Sequence, residues 1–269
     1  MKKTFLLFTV ALISLTSCSS DDDGQNDNGN NNSGIKLPKS EVTTSEPEGT
    51  ISKLDYTYDG TKIKTTSGSN TTKSVYTYNE SNVLSKIEFK ENDITKSSTK
   101  YVFDNGDIKS TTTYSVSADN VETKTSYIEY TYDAAAKTQT AVTTTYPAGV
   151  PTVSNTKIVN TYDDNNLVKT VTTATIDDKN DTVTTTVYVY DDKSSSMKNV
   201  TGQPATIVKG QNNPKTINTT VIVRTDNTSG TPITTQSTYD YEYDESGFPI
   251  LVTSYSAGSL ISVKDIFYN

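Results

Sequence analysis

The stretch that decides the fold runs from Tyr239 to Val252 and reads Y-D-Y-E-Y-D-E-S-G-F-P-I-L-V. Its three tyrosines are spaced by two, so on a β-strand their side chains share one face. The D-E-S-G that follows has Asp first and Gly fourth. This order is typical of a type I turn, because the Asp side chain can accept bonds from the turn's N–H groups. The stretch therefore predicts a β-hairpin.

The turn also sets an expected register for the second strand. If its four residues close the hairpin, Tyr243 lies opposite Phe248, and cross-strand partners point to the same face. The residues expected to continue the tyrosine face are Phe248, Ile250 and Val252. Pro249 and Leu251 are expected on the other face, with the proline at a position that needs no ladder hydrogen bond.

Weaker copies of this hairpin recur along the chain from about residue 50, at intervals of roughly 20–30 residues. The aromatic residues that precede the copied turns are Tyr58, Tyr78, Phe103, Tyr132, Tyr162, Tyr190 and Tyr243. In five of these seven copies an apolar residue follows the aromatic by five positions. We expect a degenerate copy over Val221–Asp226 and a final half-copy over Ile266–Asn269.

The composition agrees with strands throughout the repeat. Hydrophobic residues make up 32% of the chain, there are 18 Tyr and no Trp, and Thr and Val are abundant. Such residues fit a half-buried pleated surface. The sequence therefore predicts an all-β protein, an antiparallel meander of repeated β-hairpins over residues 51–269. Its apolar face must be covered, so we expect the sheet to curl into a barrel-like or flattened sandwich form.

The outward positions of the predicted strands argue against an integral porin. A lipid-facing band needs sustained apolar alternation, whereas these positions carry Thr and charged residues. We expect the tyrosines of the repeat to form the core instead, because aliphatic residues are scarce. A role for their rings in stacking on sugars is the alternative.

The first 17 residues are typical of a signal peptide. Lys2 and Lys3 precede an apolar run, Phe5 to Leu15, that is too short to cross a bilayer. The run ends in L-T-S-C, which resembles the lipobox of bacterial lipoproteins. The resemblance implies cleavage before Cys18, the only cysteine, and attachment of a lipid to it. Removing residues 1–17 changes the formal charge from −8 to −10.

The residues after the cysteine predict an exported, tethered protein. Ser19, Ser20, Asp21, Asp22 and Asp23 resemble the export signal that places Bacteroidetes lipoproteins on the outer face of the outer membrane. The following residues are rich in Asn, Asp, Gly and Ser and cannot bury enough apolar area to order themselves. We expect residues 18–50 to be a lipidated cysteine and a disordered polar tether.

The Tyr-x-Tyr-Asp-x-x-Gly kernel carries two further resemblances. It resembles the YD repeats of Rhs-type and teneurin-type surface proteins, although only the Tyr-Asp turn matches. It resembles more closely the Bacteroidetes lipoproteins of unknown function whose domains have a porin-like β fold. Both resemblances imply an extracellular β architecture, and neither supplies a catalytic residue.

The residue composition excludes several classes of catalytic and metal site. The absence of histidine excludes Ser-His-Asp and Cys-His catalysis and the common zinc sites, and the single cysteine leaves no disulfide framework. The acidic balance argues against nucleic acid as a partner. Two clusters, Asp163–Asn166 and Asp177–Asp181, offer oxygen ligands for calcium but lack EF-hand spacing, so solvated loops are the expected interpretation. We predict no catalytic residue, no metal site and no cofactor.

One short motif predicts a modification. Asp181-Thr182-Val183 resembles the Bacteroidetes O-glycosylation acceptor, which would place a glycan on Thr182.

Three hypotheses for function follow. The first is a surface-displayed, non-enzymatic lipoprotein, lipid-anchored in the outer membrane, that binds an extracellular glycan or protein. The second is a periplasm-facing envelope lipoprotein that holds a lipid or small apolar ligand. The third is a carboxylate-dependent glycan hydrolase, which requires two acids outside the turns to converge in one cleft.

Overall fold

A computed structural model describes residues 35–68, 71–104, 107–147, 152–163, 166–203, 211–226 and 228–269. Seventeen strands make up this part of the chain: β1 Pro38–Ser45, β2 Thr50–Asp59, β3 Lys62–Gly68, β4 Thr72–Tyr78, β5 Leu84–Glu91, β6 Ile94–Asp104, β7 Asp107–Val116, β8 Glu122–Asp133, β9 Thr138–Thr145, β10 Thr152–Asp163, β11 Asn166–Thr175, β12 Asp181–Ser194, β13 Asn212–Thr225, β14 Thr228–Ser229, β15 Ile233–Tyr243, β16 Pro249–Ser256 and β17 Ser259–Tyr268. No α-helix occurs within these ranges.

The strands form one closed antiparallel sheet. Each strand pairs with the next along the chain, except that β14 pairs only with the end of β13, and β13 pairs directly with β15. Strand β1 pairs with both β2 and β17 and so joins the two ends of the meander. The result is a barrel of 16 strands. The predicted all-β meander is confirmed, and it closes as a barrel.

The expected tether is wrong in its last part. Residues 38–45 form β1, in which Glu41 lies opposite Leu54 on one side and Ile266 on the other. This strand carries no Tyr-Asp kernel, so the repeat pattern does not reveal it. It joins the sheet through a local hairpin with β2 and closes the barrel by pairing with β17, more than 200 residues later in the chain.

The barrel has two different ends. The seven connections that follow the Tyr-Asp kernels all lie at one end, which we call the Tyr–Asp end, and β1 begins and β17 finishes there. The other eight connections lie at the opposite end, which we call the distal rim. Because the strands alternate in direction, each hairpin has its kernel at the same end of the barrel.

Three of the five predicted aromatic–aliphatic partnerships are confirmed as direct cross-strand pairs. These pairs are Tyr58 with Ile63, Phe103 with Ile108, and Tyr162 with Leu167. The other two are wrong by one residue, since Tyr78 pairs with Leu84 and Tyr243 with Pro249. In both of those hairpins a residue with positive φ, Asn82 or Gly247, lies in a longer turn.

The hairpin at Tyr239–Val252 shows why a predicted register is wrong by one residue. The Asp244 side chain accepts bonds from the N–H groups of Ser246 and Phe248, as the turn chemistry predicts. The turn is one residue longer than the predicted four, because Tyr243 pairs with Pro249. The bulge between Glu242 and Tyr243 is not the cause, since the three confirmed hairpins have the same bulge before their aromatic residue. Pro249 is therefore buried opposite Tyr243, and Ile250 is exposed, which corrects the predicted faces of both. Val252 lies on the tyrosine face, as predicted.

The two irregular copies have opposite outcomes. The degenerate copy expected over Val221–Asp226 is wrong, because this segment ends β13 at the distal rim rather than at the Tyr–Asp end. The half-copy over Ile266–Asn269 is confirmed as the last part of β17, and the hydroxyl of Tyr268 bonds the carbonyl of Pro249.

The main hydrophobic cluster lies at the Tyr–Asp end. Its buried members are Leu37, Tyr56, Ile63, Tyr76, Leu84 and Val200. Val200 belongs to the connection between β12 and β13, whose residues 195–203 fold against the barrel; we call this segment the floor loop. Each fully buried side chain in such a cluster stabilises the fold by about 1.5–3 kcal/mol relative to exposure. The floor loop therefore covers the Tyr–Asp end beside β1–β5.

Candidate functional site

The tyrosines of the repeat point into the barrel, as predicted. Tyr56 is only 6% exposed, whereas its neighbour Thr57 is exposed on the outer face. Cross-strand pairing puts Tyr56 on the same face as Thr66, and Thr66 on the same face as Ser74 and Tyr76. Cross-strand pairs extend this inward face from one strand to the next. The aromatic rings on it therefore form a belt inside the Tyr–Asp end.

The hydroxyls at this end bond backbone carbonyls on nearby strands. Tyr58 donates to Pro38, Tyr78 to Ile63, Tyr190 to Leu167, Tyr241 to Pro214 and Tyr268 to Pro249, at 2.7–2.8 Å. Each accepting residue is the cross-strand partner of the aromatic residue in a neighbouring hairpin. These bonds tie successive hairpins together, and they satisfy phenol groups that would otherwise be buried without partners.

Burial of these rings alters their acidity. Burial is the largest cause in every case, and it raises the pKa of Tyr78 and of Tyr162 to about 12. The other tyrosines whose pKa is raised are Tyr56, Tyr58, Tyr76, Tyr101, Tyr130, Tyr188, Tyr190, Tyr239, Tyr241, Tyr243 and Tyr268. These phenols remain protonated at neutral pH, so they can donate hydrogen bonds but cannot act as bases.

The floor loop is fastened by backbone hydrogen bonds. The N–H of Thr201 donates to the carbonyl of Thr61 at 3.0 Å, and the N–H of Leu84 donates to the carbonyl of Gly202 at 2.9 Å. Gly202 has φ +74, and a Cβ there would lie 2.7 Å from Cε1 of Tyr78. Only glycine fits this conformation and this approach without a shift of the neighbours.

Both ends of the barrel chain are held at the same place. Lys36 forms an ion pair with Asp244, and the N–H of Asn269 donates to the carbonyl of Leu37 at 3.1 Å. Asn199 of the floor loop donates its side-chain N–H to the carbonyl of Lys36 at 2.9 Å. The segment that leads to the predicted lipid anchor therefore leaves the barrel at the Tyr–Asp end.

The inner wall towards the distal rim is lined with hydroxyl groups. Residues that share the inward face there by pairing include Thr66, Ser74, Thr99, Thr113, Ser126, Thr172, Thr184, Thr186, Thr219 and Ser254. The hydroxyls of Thr99 and Thr113 lie 3.1 Å apart, and those of Thr186 and Thr219 lie 3.4 Å apart. A closed sheet of 16 strands is too wide for such small side chains to fill. The distal half thus encloses polar space.

One ion pair lies on the inward face at the seam between β1 and β17. Glu41 Oε2 lies 3.1 Å from Lys264 Nζ, although the two atoms do not have hydrogen-bond geometry. Burial raises the pKa of Glu41, and the charge of Lys264 opposes that change. The close ionic partner of this buried acid is thus a cation. This arrangement differs from the paired acids that a glycan hydrolase needs.

The outer face carries charge in the middle of its strands. Lys53 pairs with Asp55 at 3.2 Å, and Lys86 pairs with Glu88 at 2.9 Å. Surface pairs of this kind contribute little to stability. They place charged side chains on the outward face of β2 and β5.

No helix in the described ranges is long and apolar enough to cross a membrane.

Exposed aliphatic side chains surround the distal rim. Six of its eight connections carry one within the connection or within two residues of it: Ile51 at 66% exposure, Ile94 at 53%, Val121 at 59%, Ile176 at 66%, Ile233 at 66% and Leu260 at 41%. Among the described residues, the Tyr–Asp end carries four exposed large apolar side chains: Tyr132 and Ile250 at its connections, Ile35 before β1 and Phe267 near the end of β17. Sequence reasoning missed the distal ring, because the residues are far apart along the chain.

Of the described acidic residues in the two clusters, Asp177 and Asp178 lie in a turn, whereas Asp163 and Asp181 lie at strand ends. Asp177 accepts bonds from the backbone N–H groups of Lys179 and Asn180, and both of its oxygens accept bonds from the Asn180 side chain. These bonds lower the pKa of Asp177, with the Asn180 side chain as the largest cause. The described residues contain no group of three or more acidic, His or Cys side chains arranged for a metal. Asp163 forms an ion pair with Lys137.

The remaining predicted sites have clear positions. Thr182 is half-buried near the start of β12 and pairs with Val223, on the inner side of the distal rim. A glycan on Thr182 would enter the barrel mouth, and this modification stays a prediction. Cys18 and Ser19–Asp23 lie outside the described residues, so lipidation and surface export also stay predictions.

The fold of this chain is similar to that of a solved structure. No family model and no curated protein matches the chain. A porin-like protein from Bacteroides vulgatus superposes with a TM-score of 0.55 and 14% identity, over 87% of this chain and 99% of that chain. At this identity the likeness shows the fold alone. The expected porin-like β fold is confirmed.

Two further solved structures are more distant. A porin-like protein from Bacteroides uniformis gives a TM-score of 0.27 at 11% identity, over 87% of this chain and 98% of that one. A protein of unknown function from Bacteroides fragilis gives 0.25 at 11% identity, over 56% and 85%. These low scores carry no argument.

Proposed function

We propose that this protein is a non-enzymatic lipoprotein of the outer membrane, displayed on the cell surface, that docks a protein partner on its distal rim. The observation that carries the proposal is the ring of six exposed aliphatic residues. Single exposed aliphatic residues are normal on any protein. Six at one end, on six different connections, give most of the distal hairpins an exposed aliphatic side chain beside their carboxylates.

The charge of the rim indicates the chemistry of the partner. Within two residues of the distal connections there are ten carboxylates: Glu46, Glu48, Glu91, Asp93, Asp119, Glu122, Asp177, Asp178, Asp181 and Asp226. The cations in the same positions are Lys73, Lys90, Lys179 and Arg224. An acidic rim repels a second copy of itself and an anionic lipid surface. It favours a protein with an apolar patch bordered by basic residues.

The inner wall argues against the lipid-carrying hypothesis. A site for a lipid or small apolar ligand needs a predominantly apolar lining. The distal half of the barrel offers Ser and Thr hydroxyls, and the Tyr–Asp end is packed against the floor loop. Neither of these two zones offers the predominantly apolar lining that such a ligand needs.

The position of the predicted anchor supports outward presentation of the rim. The chain enters the barrel at the Tyr–Asp end, so a lipid at Cys18 tethers that end to the membrane. The distal rim is then the end farthest from the attachment point. A partner in the extracellular space meets this rim first.

Site-specific photo-crosslinking in intact cells tests the docking proposal. A photoreactive residue replaces Ile176 or Ile233 at the distal rim, and the matched control replaces Glu245 in a turn at the Tyr–Asp end. We expect a discrete crosslinked species from the two rim positions and none from the control. The same species from Glu245, or none from the rim, would refute docking at the rim.

Protease treatment of intact cells tests surface display separately. We expect the protein to disappear without breach of the outer membrane. Survival in intact cells, with loss only after the membrane is opened, would overturn the export signal at Ser19–Asp23 but leave the rim as a docking surface inside the envelope.

A further inference from the structure

A second set of tyrosines faces the outside of the barrel. Tyr114, Tyr127 and Tyr146 fall outside the Tyr-x-Tyr-Asp kernel. Pairing puts Tyr114 opposite Lys124 and Ser98, and Tyr127 opposite Thr112 and Thr144, all on the outward face of β6–β9. The core does not need these three rings, so their position calls for another explanation.

The outward rings hold two lysines. The Lys124 ammonium lies 4.7 Å from the centre of the Tyr127 ring and 4.3 Å from that of Tyr146. The Lys100 ammonium lies 4.6 Å from the Tyr114 ring centre. These distances are typical of cation–π contacts, which fix a flexible ammonium in place. We call these five residues the outer tyrosine–lysine patch.

The two lysines differ in their charge balance. Lys100 forms an ion pair with Glu122, and Glu122 also accepts a bond from the Ser98 hydroxyl at 2.9 Å. Lys124 has no carboxylate within ion-pair distance among the described residues. In a protein with a formal charge of −8, an oriented and uncompensated ammonium on an open sheet face is an anion-recognition point.

The tyrosine hydroxyls of the patch are also available. Five of the repeat tyrosines donate their hydroxyls to backbone carbonyls, as Tyr78 does to Ile63. In the described part of the chain, the hydroxyls of Tyr114, Tyr127 and Tyr146 bond no protein group. Half-exposed aromatic rings with unused hydroxyls, beside a fixed cation, match a ligand that combines hydroxyl groups, C–H faces and an anion.

We propose that the outer tyrosine–lysine patch binds an acidic saccharide, with its carboxylate or sulfate at Lys124 and its hydroxyls at the tyrosines. A sugar chain can lie along an open sheet face, with its C–H faces on the tyrosine rings and its anion at the lysine. This site is separate from the distal rim, and the ligand is of a different class from the proposed protein partner.

Binding to defined polymers tests the assignment. Detergent-solubilised full-length protein is titrated calorimetrically with oligogalacturonate, with dextran sulfate and with neutral dextran. We expect binding of at least one acidic polymer and none of neutral dextran. The oligogalacturonate and dextran sulfate arms distinguish a carboxylate from a sulfate as the recognised group. No binding of either acidic polymer would overturn the proposal.

Matched variants locate the site. Lys124→Gln is expected to weaken binding about tenfold, and Tyr127→Phe or Tyr146→Phe about threefold each, because only a hydroxyl is lost. The control is Lys157→Gln, which removes another exposed outward lysine on β10 and is expected to change affinity less than twofold. Equal loss in Lys124→Gln and Lys157→Gln would show diffuse attraction and refute the site. Circular dichroism confirms that each variant is folded.

Discussion

The two ends of the barrel are built from the same strands in different ways. At the Tyr–Asp end, aromatic rings fill the interior, their hydroxyls bond neighbouring strands, and the floor loop covers the cluster around Leu84. At the distal rim, the inner wall is lined by small hydroxyl side chains and aliphatic residues face solvent. The first end thus supplies stability, and the second has the exposed surface that we assign to binding. The two ends thus differ in their contributions to stability and to binding, and both contributions can be measured.

The largest expected effect concerns the phenols of the Tyr–Asp end. Their folded-state pKa values lie above the ordinary value of 10.0, so the folded state holds these protons more tightly than the unfolded state. Their contribution to stability is complete below pH 10 and is lost as the pH rises above it. We expect cooperative alkaline unfolding, with phenolate absorbance appearing together with the loss of β-sheet circular dichroism. Gradual ionisation without unfolding would contradict the packed belt.

A core truncation compares the ends directly. Leu84 is 0% exposed, and Leu84→Ala is expected to lower the free energy of unfolding by about 2–5 kcal/mol, because it leaves a cavity. Ile176 is 66% exposed, and Ile176→Ala is expected to change it by less than about 0.5 kcal/mol. Urea unfolding followed by circular dichroism measures both. If both variants lost a similar free energy of unfolding, the two ends would not differ in packing.

Two glycines with positive φ, one at each end of the barrel, allow a further comparison of stability. Gly202→Ala brings a Cβ against Tyr78 at a positive φ, so we expect a loss of about 1–3 kcal/mol and faster proteolysis of the floor loop. Gly258 at the distal rim also has positive φ, +82, but open space around it. Gly258→Ala is expected to cost about 1 kcal/mol, from the backbone alone. If the two variants are equally destabilised, the floor loop is not packed as described.

The smallest expected effect isolates one hydroxyl at a time. Tyr78→Phe removes the bond to the carbonyl of Ile63 and is expected to cost about 0.5–1.5 kcal/mol. Tyr127→Phe on the outer face removes a hydroxyl that bonds no described protein group, and it is expected to leave stability unchanged. Thermal unfolding by calorimetry resolves the difference. A cost for Tyr127→Phe equal to that for Tyr78→Phe would remove the division between inward and outward tyrosines.

Local chemistry explains what the sequence could predict. The kernel at Tyr58, Phe103 and Tyr162 specifies its own turn and partner, since all the relevant residues lie within about ten positions. The register at Tyr78 and Tyr243 was predicted one residue wrong, because a turn of one extra residue leaves the same residue types in the sequence. The sequence could thus predict the features that are set within one hairpin, except for the exact length of the turn.

Long-range geometry explains what could not be predicted. Strand β1 has no kernel, and it closes the barrel by pairing with β17 at the other end of the chain. The floor loop is rich in polar residues, and only Met197 and Val200 hint at burial. The distal rim and the outer tyrosine–lysine patch each assemble residues from several hairpins. The one available signal for the patch was that Tyr114, Tyr127 and Tyr146 stand outside the repeat.

The seam between β1 and β17 has a consequence for how the chain reaches its final form. Hairpins form from neighbouring residues in microseconds. Closure must wait, because the partner of Val42 is Asp265, more than 200 residues later in the chain. Until then β1 presents an unpaired strand edge, the feature that promotes association between chains.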